Sequence, residues 1–145
     1  MTESLLHFIW KYKLFDTGSL LTSDGEPVSI LNSGVHNYDA GPDFLDARIK
    51  IGDTLWAGHV EMHVKGSDWV VHGHHKDKAY DNVVLHVVYD PTKESIQNSK
   101  GENIPTLDLS KYIAAGIPER YRVLMQSKTW IACENFFREL DPLVF

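Results

Sequence analysis

A chain of 145 residues, 43% hydrophobic and 23% charged, has the composition of one folded globular domain that buries about two thirds of its unfolded surface, which excludes a disordered, collagenous or coiled-coil protein. Its formal charge of −6, from 14 lysines and arginines against 20 aspartates and glutamates, excludes the broad basic surface by which many proteins hold phosphate, so nucleic-acid contact needs a local patch or a bound cation. One cysteine, Cys133, excludes an internal disulfide and a thiolate metal cage, no apolar run nears the roughly 20 residues of a membrane span, and Met1-Thr2-Glu3 lacks a basic leader, so a cytoplasmic protein without a membrane segment is expected.

In chain order, Leu5, Phe8, Ile9 and Tyr12 recur at helical spacing, widened by Leu6 and Trp10, and predict an amphipathic helix over 4–14 with Thr2 or Ser4 as cap. Asp24-Gly25-Glu26-Pro27 is a turn by residue type, and the β-rich run 28–31, ended by Asn32-Ser33-Gly34, predicts a first strand. Residues 35–42 read as a polar loop without periodicity. The alternating run from Asp43 or Phe44 to Ile51 predicts a second strand, and Gly52-Asp53-Thr54 a hairpin into an antiparallel third over 55–65. Alternation then sets Trp56, Val60, Met62 and Val64 on one face of that strand and His59, Glu61, His63 and Lys65 on the other.

Ser67-Asp68 can cap a helix over 69–80, against the poor helix propensity of Val70, Val71 and Gly73. The valine-rich run 82–89 predicts a largely buried fourth strand. A polar stretch follows from Asp90 to Pro105, then Ile117, Tyr121, Leu124 and Met125 mark a helix after Gly116 and Pro118, and 130–145 brings aromatics without a pattern. The expected division is a core over 1–90 and a helical extension over 91–145, packed on the core or starting a larger body.

Three carboxylates stand out: Asp43 and Asp46 at the start of strand two, and Glu61 within strand three. The hairpin makes their strands neighbours, so Asp43 or Asp46 can approach Glu61 closely enough to share a divalent cation. Oxygen ligands suit Mg2+ or Mn2+, which acidify bound water and offset phosphoryl charge. The plain alternative is that the aspartate holds a turn and the glutamate is hydrated. Histidine is the unusual component, with six of the eight between His59 and His86. His72-Gly73-His74-His75 with Asp77 suggests zinc, yet successive helical residues diverge, so at most one or two of these rings converge with His63. His36 and Asn37 either touch a phosphate or stabilise the loop before Asp43, while His86, Trp56 and Trp69 read as packed residues.

Gly41-Pro42-Asp43, a strand, a turn and then Glu61-Met62-His63 resemble the PD-(D/E)XK nuclease-like superfamily. Its restriction-endonuclease-like α/β core of helix, three antiparallel strands, helix and strand has the element order just read. The strings Asn37-Tyr38-Asp39-Ala40-Gly41-Pro42-Asp43-Phe44, Asp53-Thr54-Leu55-Trp56-Ala57-Gly58-His59-Val60-Glu61 and Ser67-Asp68-Trp69 to His75 resemble, over nearly the whole chain, an uncharacterised family of longer bacterial proteins.

The superfamily resemblance implies that Asp43 and Glu61 are catalytic carboxylates that bind Mg2+ or Mn2+, with the backbone carbonyl of Met62 as a further ligand. His63 stands where the pattern has lysine, and Lys65 lies one step along the same face. His63 is then a general base, or Lys65 supplies the missing charge, or the site is inactive. Lys76 and Tyr80 have the spacing of a glutamine and tyrosine in exonuclease-like relatives, and join His36 and Asn37 as candidate substrate contacts. Glu3 matches an extra acidic ligand of some members, or is simply solvated. The expectation is a metal-dependent phosphodiesterase acting on DNA or RNA. The alternatives are an inactive nuclease-like domain that contacts a partner, a second copy or the rest of a longer chain, and a histidine-liganded zinc hydrolase.

Overall fold

The computed structural model describes residues 1–127, and its first helix starts where the sequence offers a cap. Thr2 Oγ1 accepts the Leu5 N–H at 3.2 Å, and α1 runs Glu3–Lys11 with an acid in its first turn and a base in its last. It stops short of the expected residue 14 because Lys13 turns left-handed (φ 52°). The Leu14 N–H then returns to the Ile9 carbonyl, which turns Leu14 and Phe15 into the core.

Next come β1 (Leu20–Leu21) and β2 (Pro27–Asn32), paired antiparallel, and β3 (Val35–His36), a short strand within the expected loop. β4 (Phe44–Ile51) and β5 (Thr54–Lys65) form the predicted hairpin. The expected helix over 69–80 is instead α2 (Asp68–Val71) and two 3-10 turns, His74–Lys76 and Lys78–Tyr80. Gly73 in the left-handed region (φ 73°) ends α2, and Asp77, extended, accepts the Ala79 N–H at 2.9 Å to start the second turn. β6 (Val83–Asp90) then runs parallel to β5.

Beyond β6 the chain departs from the expected helical extension. β7 (Ile96–Gln97) and β8 (Asn103–Ile104) make a small ribbon, and β9 (Thr106–Asp108) joins β6 in parallel before α3 (Ile117–Ser127). Isolated apolar residues in polar surroundings, Ile96, Ile104 and Leu107, anchor these strands, and they leave no periodicity for a sequence reading to detect. Cys133 and the aromatic segment 130–145 lie outside the described residues.

The result is a mixed α+β arrangement around one sheet of order β1-β2-β4-β5-β6-β9, with β3 also on β4. Helices α1 and α3 cover one face, where Leu6, Ile9, Trp10, Met62, Leu85, Val87 and Ile117 share a core. A smaller core of Trp69, Tyr80, Val83, Ile96 and Ile104 covers part of the other. Sheet positions buried on both sides put both side-chain registers of β5 inside, which is why Glu61 and His63 are as buried as Met62. The start of β5 projects past these layers, so Trp56 is 48% exposed rather than core, whereas Trp69 is fully buried. Among the described residues no helix is long and apolar enough to cross a membrane.

Candidate metal centre

The pairing of β4 with β5 contains one irregularity, and that irregularity builds the acid pair. From Ala47 to Ile51 the register is regular, with Ala47 opposite Gly58 and Ile51 opposite Thr54. Continued unchanged, it would set Asp43 opposite Met62. An extra residue on β4 between Phe44 and Ala47 shifts the register so that Phe44 faces Val60, which brings Asp43 opposite Glu61. Asp46 takes the left-handed conformation of that bulge (φ 57°) and is exposed, with its N–H on His59 Nδ1 at 3.2 Å. Of the two aspartates weighed from sequence, Asp43 is therefore the one that meets Glu61.

The loop before Asp43 is fastened by Asn37. Its Nδ2 donates to the carbonyls of Ala40 (3.1 Å) and Pro42 (3.0 Å), its Oδ1 accepts the Asp39 N–H, and its own N–H binds the Asp43 carbonyl at 2.8 Å. Asn37 thus shapes the site from behind. Asp43 Oδ2 accepts the Met62 N–H at 3.0 Å and lies 3.2 Å from His7 Nε2 on α1, a close contact off the line of a good hydrogen bond. The backbone group of Met62 that meets Asp43 is thus its N–H. Glu3, one helical turn before His7, completes a cluster of possible ligands with His7 and Asp43.

Glu61 is 3% exposed, has the Asp43 carboxyl as its neighbour across the strand pair, and has its Oε2 buried with no partner among the described residues. Burial first, and then the neighbouring Asp43, push its carboxyl well above the usual range. Burial also opposes ionisation of Asp43, but the close His7 and Glu61 side chains and the Met62 N–H outweigh it and hold Asp43 below its ordinary value. These opposite shifts favour a single proton shared by the pair in the absence of a cation. Glu3 is also raised, by burial and then by Asp43.

His63 does not face this pair as a base. Its Nδ1 lies 2.8 Å from His86 Nε2 inside the protein, and burial together with His74 and His72 lowers it to about 4. Burial and His63 lower His86 to about 3, and His74 is lowered in the same way by burial and His72. These imidazoles are neutral at pH 7. Lys65 is exposed at the end of β5, in register with Asp90. Lys76 and Tyr80 fall in separate 3-10 turns: Lys76 is exposed, while Tyr80 is buried and stacks on His74 at 3.7 Å. The helical spacing that joined them in the sequence does not exist.

His36 lies beside the acid pair with its ring on Phe44 (4.7 Å) and Tyr38 (4.2 Å) and edge-on to His7 (5.1 Å). It lines a cleft of about 260 Å3 with His7, Lys11, Tyr12 and Tyr38. His7 was not singled out in the sequence, although its place four residues after Glu3 on a capped helix is the signal that sets both on one face. The gathering of His72 and His74 around His63 was legible only in part, because it depends on the left-handed Gly73 between them.

The model of a family described as protein of unknown function, DUF2851, matches residues 3–145. No curated protein and no solved structure matches the chain.

Proposed function

The chain belongs to the DUF2851 family, whose description names no activity, and from the site itself we propose that it is a divalent-metal-dependent phosphodiesterase of the PD-(D/E)XK nuclease-like type, acting on DNA or RNA. The observation that supports this reading most is Glu61: a carboxyl inside the protein, pressed on a second carboxyl, with one oxygen unpartnered. A buried polar atom without a partner costs about 1–3 kcal/mol, more when charged, and a cation relieves it directly. Helix α1, the antiparallel strands β2, β4 and β5, short helical turns and the parallel strand β6 follow in that order, with the two-residue strands β1 and β3 added to them, and support the same reading.

Asp43 and Glu61 would hold the ion, with Glu3 and His7 at its α1 side. Three carboxylates and one imidazole suit Mn2+ better than Mg2+, which prefers oxygen alone. A cation bound there supplies Lewis acidity and neutralises charge on a phosphoryl group. The remaining work falls to the chain. The Met62 N–H fixes the Asp43 carboxylate, Asn37 fixes the loop that carries it, and the flanking cleft offers the rings of His36 and Tyr38 for stacking and Lys11 for phosphate. A second reading, a nuclease-like domain without hydrolysis, draws on His63, which stands at the lysine position of the pattern yet is neutral and turned to His86.

Calorimetry with Mn2+ and cleavage of labelled single- and double-stranded DNA and RNA test the proposal. Glu61→Gln should lower Mn2+ affinity by roughly tenfold or more. Cleavage should stop in EDTA and in Asp43→Asn. Mn2+ affinity unchanged in Glu61→Gln rejects the site, and metal binding without cleavage of any of the four substrates selects the second reading.

A further inference from the structure

A second group of metal-ligating side chains adjoins the acid pair, and the phosphodiesterase reading makes no use of it. His63 on β5, His72 at the end of α2 and His74 in the following turn each bring a ligand atom within 4.8 Å of the other two. Their rings are 5.1 to 5.6 Å apart between centroids. We propose that His63, His72 and His74 form a binding site for a zinc-class divalent ion, separate in ligand chemistry from the carboxylate site beside it.

The arrangement has the parts of such a site. Gly73, left-handed and with nothing within 4 Å of where a Cβ would stand, reverses the chain so that two residues on either side of it turn to the same point. Tetrahedral zinc binds imidazole nitrogens at ~2.0–2.1 Å, which sets the ligands ~3.4 Å apart, so each pair of ligand atoms needs to close by at most about 1.4 Å. His86 supports the ligand from behind: with His63 Nδ1–H donating to His86 Nε2 across their 2.8 Å contact, the ring is oriented and its Nε2 is left for the ion, the role that an outer hydrogen-bond partner has in histidine metal sites. His86 is itself fully buried, with Trp69 edge-on at 5.1 Å.

His74 is buried with Nδ1 unpartnered and is held flat by Tyr80. His72 is exposed, so the site opens to solvent on that side and a fourth position remains for water or a substrate atom. An all-imidazole donor set selects zinc and its transition-metal neighbours against Mg2+, whereas the carboxylates of the adjoining site select the harder ions. The tri-histidine site does not depend on the acid pair being occupied or active.

Untagged protein, stripped with a chelator and titrated with Zn2+ and with Co2+ in excess Mg2+, tests the inference. One equivalent of zinc per chain is expected, and the cobalt form should show the intense visible absorption of a four-coordinate site. His72→Ala, on the solvent side, should fold normally and lower zinc affinity roughly tenfold or more, as should His74→Gln, while His75→Ala and Glu61→Gln leave it unchanged. Zinc affinity that survives His72→Ala, or falls equally in His75→Ala, overturns the site. A matching loss in Glu61→Gln overturns its separateness from the acid pair. Circular dichroism of each variant distinguishes ligand loss from unfolding.

Discussion

Glu61 and His63 stand two residues apart on β5, and burial acts on them with opposite sign, keeping the carboxyl protonated and the imidazole neutral. His63, at about 4, and His86, at about 3, titrate below the ordinary 6.5, so their contribution to stability is complete above pH 6.5 and is lost as the pH falls toward those values. Glu61 titrates above its ordinary 4.5, so its contribution is complete below pH 4.5 and is lost as the pH rises through the folded value. Asp43, lowered from 3.8, adds a loss only at the acid end. With His63, His86, His74 and His36 pulling one way and Glu61 the other, metal-free protein should be most stable near neutral pH and weaken on both sides, by about 1.4 kcal/mol per pH unit at most on the alkaline side. Urea denaturation in EDTA between about pH 5 and 9 measures this, Glu61→Gln should flatten the alkaline limb, and an alkaline limb already flat in the native protein would show Glu61 ionised without a cation. The sequence showed these residues as an alternating row, His59, Glu61, His63, Lys65, but alternation reports only a shared face. It could not show that this face is covered, which makes His63 a buried partner of His86 and leaves Lys65 in solvent.

At the scale of elements, the hairpin of β4 and β5 and the buried β6 were legible because their signals are local: a Gly-Asp turn, alternation, and a run of valines. What was not legible is the exact register within a strand pair, as at the Asp46 bulge, and the contacts between strands farther apart in the chain. Gly58 is a case of the second kind, and it has a measurable consequence: a Cβ there would stand 2.5 Å from the Asn82 carbonyl and 2.5 Å from Val84 Cγ1, because the start of β6 lies directly on β5 at this point and the His59 N–H binds the same Asn82 carbonyl at 2.8 Å. Backbone cannot move aside as a flexible side chain can. Gly58→Ala should cost about 1–3 kcal/mol in chemical denaturation. Because Glu61 and His86 face one another in the same strand pair, it should also weaken Mn2+ binding. A stability loss below about 0.5 kcal/mol would show that β6 does not press on β5 as described.

For the molecule as a whole, a charge of −6 on a small domain repels a polyanion over the ~8–10 Å that salt leaves unscreened, so attraction to nucleic acid has to be local. The cleft beside Asp43 is where it concentrates: Lys11 Nζ lies 3.4 Å from the Tyr38 hydroxyl, His36 stacks nearby, and the carboxylates of Glu3, Asp43 and Glu61 adjoin. Those carboxylates repel phosphate until a cation covers them, which reverses the sign of the field at the place where a phosphodiester would lie. Binding of a labelled single-stranded oligonucleotide, followed by fluorescence anisotropy at low salt with Ca2+ to hold back cleavage, should therefore be at least tenfold tighter than in EDTA. Asp43→Asn should remove that increment, and Lys11→Ala should lower the salt dependence by about one phosphate contact. Equal affinity with Ca2+ and with EDTA would mean that the acid pair does not meet the nucleic acid, and the phosphodiesterase reading would lose its substrate.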